Sequence, residues 1–238
     1  ATTSNVVIHQ ANYSKQLFQN NYNFKSTNQY LIECGKDEYF RPDFKPIKTS
    51  NIISKICKND LLYVSHIFPY KNISMLINAF AKYKTKNITN SKLYIVGKIM
   101  NIKYYESLKK IIKKNDLIDD IFLTGSSTKE ELKFAYSTCK LFVFPSLCES
   151  SGYTLIEAMS CGAPILASDK TAIPDTCKNA AVYFDSHNEN QLLLNLNNLL
   201  SSNKKLEIMK KKSIERASEM ISYKTANKIF LDIVESDL

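Results

Sequence analysis

Five short runs of apolar and β-branched residues recur between residues 61 and 168, each followed by a longer stretch of mixed polarity. Because these runs are apolar almost throughout, they predict strands that are covered on both faces. Strands that alternate with helices are typical of βαβ units and a parallel sheet. The predicted strands are residues 61–65, 93–97, 121–125, 141–145 and 164–168. The sequence therefore predicts an α/β domain with a doubly wound parallel sheet.

Helical patterns separate and follow the predicted strands. Apolar residues recur there at intervals of three and four, which is the spacing of one helix face. The predicted helices are residues 73–83, 104–114, 129–137, 153–161 and 191–200. Several predicted strands end in Gly, Ser or Pro, and the carboxyl ends of parallel strands share one edge of a sheet. We therefore expect the ligand-binding residues at that edge.

The first 60 residues have a different organisation. Residues 6–8 and 30–32 predict two strands with a helix at 14–21 between them. A single βαβ unit cannot bury both of its faces, so we interpret residues 1–42 as the remnant of a first domain. Residues 43–60 are largely polar and predict a linker. Residues 61–238 form the predicted main domain, and the chain is interpreted as part of a larger protein.

The formal net charge of +9 favours anionic partners such as nucleotide phosphates, anionic lipid headgroups or nucleic acid. A composition rich in Lys, Asn and Ile produces the same charge without a functional cause. The sequence contains no zinc-finger spacing, no aromatic RNA-binding motif and no Gly-rich nucleic-acid loop. We therefore expect no nucleic-acid partner.

No apolar run approaches the roughly 20 residues of a membrane-spanning helix, and the first residues lack the layout of a secretory signal. These features predict a cytoplasmic protein, and its basic charge allows peripheral contact with the anionic inner face of a membrane. The six cysteines form no CxxC pair, and the three histidines lie far apart in sequence. We therefore expect free, mostly buried thiols and neither a metal site nor a cofactor.

The segment 144–164 carries the strongest functional signal. A predicted strand ends at Pro145, a loop carries Glu149, and a helix begins near Gly152 with Glu157 in its second turn. The unpaired N–H groups at a helix start suit a diphosphate, and Gly152 lets a ligand approach the backbone. An ionised carboxylate accepts two hydrogen bonds from vicinal hydroxyls, so Glu157 suits a ribose and Glu149 a sugar. Either glutamate alone is more typical of a helix-dipole or surface role, whereas the joint pattern favours binding.

These residues resemble the Glu-x7-Glu motif of the family 4 retaining glycosyltransferases of GT-B fold. The similarity extends to residues 62–80, which resemble the family's first strand with its phosphate-binding Arg and Lys and the following helix. Residues 93–97, 121–125 and 171–184 are similar in order and spacing, and residues 32–42 resemble the crossing between the two domains. The resemblance implies that residues 61–238 form the nucleotide-sugar-binding domain. It also implies that a helix near 226–234 packs back on the first domain.

The resemblance assigns roles residue by residue. Lys71 pairs with the donor diphosphate, Glu149 contacts the sugar ring, and Glu157 binds the ribose. Lys71 and Glu149 are also the implied catalytic residues. The backbone of residues 151–154 holds sugar hydroxyls and phosphate, and residues 97, 126 and 127 line the nucleobase slot. The implied donor-binding residues are Ser65, His66, Lys71, Gly97, Ser126, Ser127, Glu149, Ser151, Gly152, Tyr153, Thr154 and Glu157.

Two positions depart from the family pattern. His66 stands where the family usually has Arg, and Asp175 stands where a Glu is common. A neutral imidazole offers one donor in place of a charged fork, so phosphate affinity is either lower or supplied by another lysine.

The resemblance implies transfer of a sugar from a nucleoside diphosphate sugar to a hydroxyl of a glycan or lipid-linked acceptor, with retention. The expected setting is lipopolysaccharide or capsule biosynthesis. One alternative is a non-catalytic nucleotide-sugar-binding module that works with a separate partner domain. Another is a GT-B-fold sugar epimerase, which does not require the Glu-x7-Glu pattern. A third is a glycosidase that uses Glu149 and Glu157 as its carboxylate pair.

Overall fold

The computed structural model describes residues 6–22, 28–43 and 51–236, in which parallel strands form a small sheet and a large sheet. The strands are β1 Val6–His9, β2 Asn28–Leu31, β3 Leu61–Val64, β4 Leu93–Val96, β5 Ile121–Gly125, β6 Leu141–Phe144, β7 Ile165–Ser168 and β8 Ala181–Phe184. The small sheet pairs β1 with β2, and the large sheet has the order β5-β4-β3-β6-β7-β8. All neighbouring strands run parallel. The predicted α/β class with a doubly wound parallel sheet is confirmed.

Helices cover both faces of the large sheet. They are α1 Asn12–Asn21, α2 Ile73–Lys86, α3 Ile102–Lys114, α4 Lys129–Thr138, α5 Tyr153–Ser160, α6 Ile173–Cys177, α7 Glu189–Leu200, α8 Asn203–Glu219 and α9 Tyr223–Ser236. Helix α2 contacts α3 and α7, whereas α5 contacts α4 and α8. These two groups pack on opposite faces of the sheet, as right-handed crossovers require. Strands β3, β4, β6 and β7 are consequently buried along their whole length.

The strand order creates a crevice in the middle of the large sheet. The chain enters at β3, moves outward through β4 to β5, and then returns to β6 on the other side of β3. It continues outward from β6 through β7 to β8. The loops that follow β3 and β6 therefore diverge above their carboxyl ends, and such a switch point is where open α/β sheets bind ligands.

The five predicted strands correspond to β3 through β7, with bounds that differ by at most one residue. The sixth strand, β8, is a correction to the sequence-based prediction. Strand β8 lies at the edge of the sheet and pairs only with β7, so three of its four residues are half-buried. The residues of β8 are all apolar, and a run of only four apolar residues cannot be distinguished from a buried helix segment by its pattern alone.

Strands β1 and β2 with helix α1 are tied to the main sheet's helices by polar contacts. The Tyr13 N–H donates to Asp175 Oδ2 at 2.7 Å. The buried Arg216 contacts Glu33 Oε2 at 3.2 Å through its guanidinium. A side chain at Gly35 would approach backbone atoms of Ser222 within 2.6 Å, so the chain crosses closely past the start of α9. The first segment is thus packed against the main domain.

The predicted division into residues 1–42, 43–60 and 61–238 stays a prediction. Residues 44–50 of the predicted linker lie outside the described residues. Its remainder contains a 3₁₀ turn at Ile52–Lys55, in which Ile53 is fully buried. All six cysteines are free thiols, and four of them are buried. Throughout the part of the chain that the structure describes, no helix has both the length and the apolarity needed to cross a bilayer.

Candidate functional site

The carboxyl ends of β3, β4 and β5 lie in close contact. The Ser65 N–H donates to the Val96 carbonyl at 3.0 Å, and the Gly97 N–H donates to the Gly125 carbonyl at 2.8 Å. A Cβ at Gly97 would lie 1.8 Å from the Ser65 carbonyl oxygen, so only glycine fits between the two strand ends. The structure therefore brings Ser65, Gly97 and Ser126 to one edge. The resemblance assigns Gly97 and Ser126 to the nucleobase slot and Ser65 to donor binding.

Lys71 lies at the same edge, at the end of the 3₁₀ turn Pro69–Lys71 that follows β3. The Leu147 N–H donates to the Tyr70 carbonyl at 2.8 Å and joins this turn to the loop after β6. The Lys71 ammonium lies 4.8 Å from the centre of the Tyr70 ring and 5.9 Å from that of Phe144. Only 6% of Lys71 is exposed, so this lysine is held in place rather than free in solvent.

Glu149 is the partner of Lys71. Lys71 Nζ and Glu149 Oε1 are 2.6 Å apart, and their side chains are 7% and 11% exposed. The backbone around Glu149 is fixed separately, because its N–H donates to Thr171 Oγ1 at 2.9 Å. Two residues that the sequence assigns to different parts of a ligand thus form one nearly buried ion pair.

The start of helix α5 lies next in the same loop. Gly152 precedes the helix in the left-handed conformation, with φ of +70°, and no side chain caps the first turn. Ser151 is buried, and its carbonyl accepts a hydrogen bond from Thr176 Oγ1 at 2.6 Å. The first-turn N–H groups, including those of Tyr153 and Thr154, have no preceding helical carbonyl to bind. This arrangement can bind an anion through its backbone.

Glu157 lies on α5 and faces a different environment from Glu149. The Tyr136 hydroxyl donates to Glu157 Oε2 at 3.0 Å. Burial raises the pKa of the Glu157 carboxyl, while the hydrogen bond from Tyr136 acts in the opposite direction. Glu157 also lines a cavity of about 390 Å³ together with Lys129, Tyr153 and the crossing segment that includes residues 35–38. Lys71 and Glu149 do not line this cavity.

The remaining predicted residues differ in exposure. His66 and Ser126 are exposed at the carboxyl edge. Ser127 is half-buried, and its hydroxyl oxygen has no hydrogen-bond partner in the described part of the chain. Tyr153 is 47% exposed, and Thr154 is half-buried. The roles that the resemblance gives these residues stay predictions.

Three residues that shape the site were missed by the sequence reasoning. Thr171 accepts the Glu149 N–H and has a positive φ of +52°, which a β-branched residue rarely adopts. Tyr136 binds Glu157, and Lys129 lines the adjoining cavity. Their partners lie more than 20 residues away along the chain, so no local pattern reveals them.

Within residues 6–22, 28–43 and 51–236, no group of three or more His, Cys, Asp or Glu side chains is placed to hold a metal ion. Among the predicted site residues, Lys71 offers an ammonium, Glu149 and Glu157 offer carboxylates in different environments, and the start of α5 offers backbone N–H groups.

Comparisons with known proteins identify a family and similar sequences. Residues 50–216 match the family described as glycosyl transferases group 1. The chain is 29% identical over 160 residues to the serotype-specific mannosyltransferase WbdA of Escherichia coli, which covers 66% of this chain and 17% of that protein. It is 24% identical over 160 residues to O-antigen chain mannosyltransferase B of Escherichia coli, which covers 66% of this chain and 41% of that protein. The chain thus spans less than half the length of either relative.

Solved structures show the same fold. The chain superposes on Anabaena HepE in complex with UDP and glucose with a TM-score of 0.79 and 18% identity. That match covers 98% of this chain and 63% of the HepE chain. The fold is therefore that of GT-B glycosyltransferases, over a part of their length.

Proposed function

Because this chain belongs to the glycosyl transferases group 1 family, we propose that it is the nucleotide-sugar-binding part of a retaining glycosyltransferase of family 4. The anomeric carbon exchanges its bond to the diphosphate oxygen for a bond to the acceptor oxygen. The proton of the acceptor hydroxyl passes to the departing diphosphate or to solvent. Retention means that the new bond has the same anomeric configuration as the old one.

The observation that carries this proposal is the position of Lys71 beside the loop that leads into α5. The backbone hydrogen bond from Leu147 to Tyr70 holds the turn that carries Lys71 against the loop after β6, at the switch point of the sheet. Negative charge builds on the diphosphate as the sugar leaves, and a fixed ammonium with helix-start N–H groups stabilises that charge. The same groups bind the donor and lower the barrier, so binding and catalytic residues coincide.

The other assignments follow from the order of groups along the edge. Glu149 binds hydroxyls of the transferred sugar, and Glu157 binds the ribose, since each carboxylate accepts two hydrogen bonds from a diol. Backbone groups at Gly97, Ser126 and Ser127 line the nucleobase slot.

The proposal extends to the acceptor. The curated relatives are named as serotype-specific and O-antigen mannosyltransferases, which favours a surface-glycan acceptor, either a glycan or a lipid-linked one. The chain spans 63% of the HepE chain, so we assign the acceptor site to a first domain of which residues 1–42 are a remnant. The net charge of +9 favours work at the anionic inner face of a membrane, on the cytoplasmic side.

Calorimetric titration tests the phosphate site. UDP and GDP are titrated alongside uridine and guanosine, and we expect at least one diphosphate to bind about ten-fold or more tightly than its nucleoside. Lys71→Met should remove most of that difference, because it deletes a charged partner worth about 1.5 to 3 kcal/mol. Lys84→Met is the matched control, since Lys84 forms a partly buried pair with Asp120 at 2.9 Å away from the site. Equal binding of nucleoside and diphosphate would remove the phosphate site.

A turnover assay separates the enzyme from the binding module. The isolated chain should show little sugar transfer, because transfer requires donor and acceptor to be held together. Addition of the first domain should restore transfer. If the complete protein binds nucleotide sugars and transfers no sugar to any acceptor tested, the non-catalytic binding module is the better description.

A further inference from the structure

The ion pair between Lys71 and Glu149 competes with the ligand contacts that are proposed for these two residues. Lys71 is assigned to the diphosphate and Glu149 to the sugar, yet each is already the other's counterion at 2.6 Å. Both side chains are nearly excluded from solvent, so neither charge has bulk water as an alternative partner. A diphosphate that binds Lys71 must therefore replace Glu149 or lie beside a second negative charge.

The surroundings allow Glu149 to leave while Lys71 stays. The Lys71 ammonium lies over the rings of Tyr70 and Phe144, which retain it without the carboxylate. The backbone of Glu149 is anchored by its N–H to Thr171, so only the side-chain torsions have to change. The carboxylate that moves needs new hydrogen-bond donors, because an unpaired charge is costly near the protein interior.

We propose that this ion pair makes the site discriminate between an intact nucleoside diphosphate sugar and the bare nucleoside diphosphate. The inference rests on the proposed function. The intact donor supplies both a diphosphate for Lys71 and sugar hydroxyls for Glu149, so both groups of the broken pair gain partners. The bare diphosphate supplies a partner only for Lys71 and leaves Glu149 without donors.

The return of Glu149 to Lys71 also favours release of the product diphosphate. When the anomeric C–O bond to the diphosphate breaks and the bond to the acceptor oxygen forms, the sugar departs with the acceptor. Glu149 then loses its hydroxyl donors, and its return to Lys71 displaces the diphosphate. Glu149 thus has a second role, as a competing counterion that keeps the product from occupying the site.

Calorimetric titration of three proteins tests the proposal. The ligands are UDP with UDP-glucose and GDP with GDP-mannose, and the proteins are the wild type, Glu149→Gln and Glu157→Gln. For the nucleotide that binds, Glu149→Gln should bind the bare diphosphate about ten-fold more tightly than the wild type does, because a charged competitor is gone. Glu149→Gln should bind the sugar nucleotide no more tightly than the wild type does. Glu157 does not pair with Lys71, so Glu157→Gln should weaken the binding of both ligands equally.

A second measurement uses only the wild type and does not depend on whether the variant folds. Free glucose added with UDP, or free mannose with GDP, should tighten binding of the diphosphate because the sugar hydroxyls draw Glu149 away from Lys71. If neither Glu149→Gln nor the free sugar tightens diphosphate binding, the proposal is overturned while the donor site stands. If the wild type binds no diphosphate and no sugar nucleotide, the proposed function falls and this inference falls with it.

Discussion

Replacing Gly97 by alanine tests whether the close contact between β3 and β4 builds the carboxyl edge. The added Cβ would lie 1.8 Å from the Ser65 carbonyl oxygen, whereas real Cβ atoms essentially never come closer than 3.0 Å to such a neighbour. Because the obstructing atom belongs to the backbone, no side-chain rotation relieves the contact. The two strand ends must separate by about 1 Å, a distance that a close-packed interior does not absorb freely.

The cost of this separation can be estimated from the bonds it breaks. The Ser65–Val96 and Gly97–Gly125 backbone hydrogen bonds lie on either side of the contact between Gly97 and Ser65. Each hydrogen bond contributes about 1 kcal/mol. The positive φ of Gly97 adds about 1 kcal/mol for a residue with a Cβ. The expected loss in the free energy of unfolding is about 3 kcal/mol, which lowers Tm by about 6 to 12 °C in a protein of this size.

Gly125→Ala provides the matched control. Gly125 also has a positive φ, of +75°, but a Cβ there meets no atom within 4 Å. Its substitution should cost only the conformational term of about 1 kcal/mol, or about 2 to 4 °C in Tm. Thermal and urea unfolding of both variants give the comparison. A loss for Gly97→Ala that is no larger than the loss for Gly125→Ala would refute the argument that backbone contact closes this edge.

Three further substitutions test charged side chains in and near the site. Glu157→Gln should be more stable than the wild type at pH 8, because burial opposes ionisation of Glu157. The difference in free energy of unfolding should shrink as the pH falls through the raised pKa, because the wild-type carboxyl then becomes protonated. A difference that does not change with pH would contradict this prediction. Arg216→Met should cost about 2 kcal/mol through loss of the bond to the Thr176 carbonyl, measured by urea unfolding, whereas Glu219→Gln should cost under about 0.5 kcal/mol because Glu219 is exposed.

The central strands could be predicted from the sequence because burial on both faces dictates their composition. Strands β3, β4, β6 and β7 are buried along their whole length and are predicted from their apolar runs. Strand β5 is predicted as well, although it lies at an edge of the sheet and four of its five residues are half-buried. The other edge strand, β8, has three half-buried residues out of four and is not predicted, although all its residues are apolar. Burial therefore accounts for the prediction of the four central strands, but it does not separate the two edge strands.

The pairing of charges at the site could not be predicted in the same way. Lys71 and Glu149 are 78 residues apart in sequence, and their contact depends on the crossing that places β6 beside β3. The left-handed conformation of Thr171 is also imposed by tertiary contacts, since its residue type disfavours it. Sequence patterns supply the residues of the site, whereas the strand order decides which of them meet.

Asp175 is a second example of a contact that depends on the tertiary structure. Its carboxylate accepts the Tyr13 N–H in the first turn of α1, where a negative charge also complements the helix dipole. Helix α6, which carries Asp175, begins directly after Ala172, and the neighbouring Thr171 fixes the backbone of Glu149. A continuous series of hydrogen bonds and covalent neighbours therefore connects α1 with the loop that carries Glu149. Helix α1 belongs to the segment that precedes the main domain. The contact between this segment and α6 therefore constrains the side chain at residue 175, in addition to any constraint from a ligand.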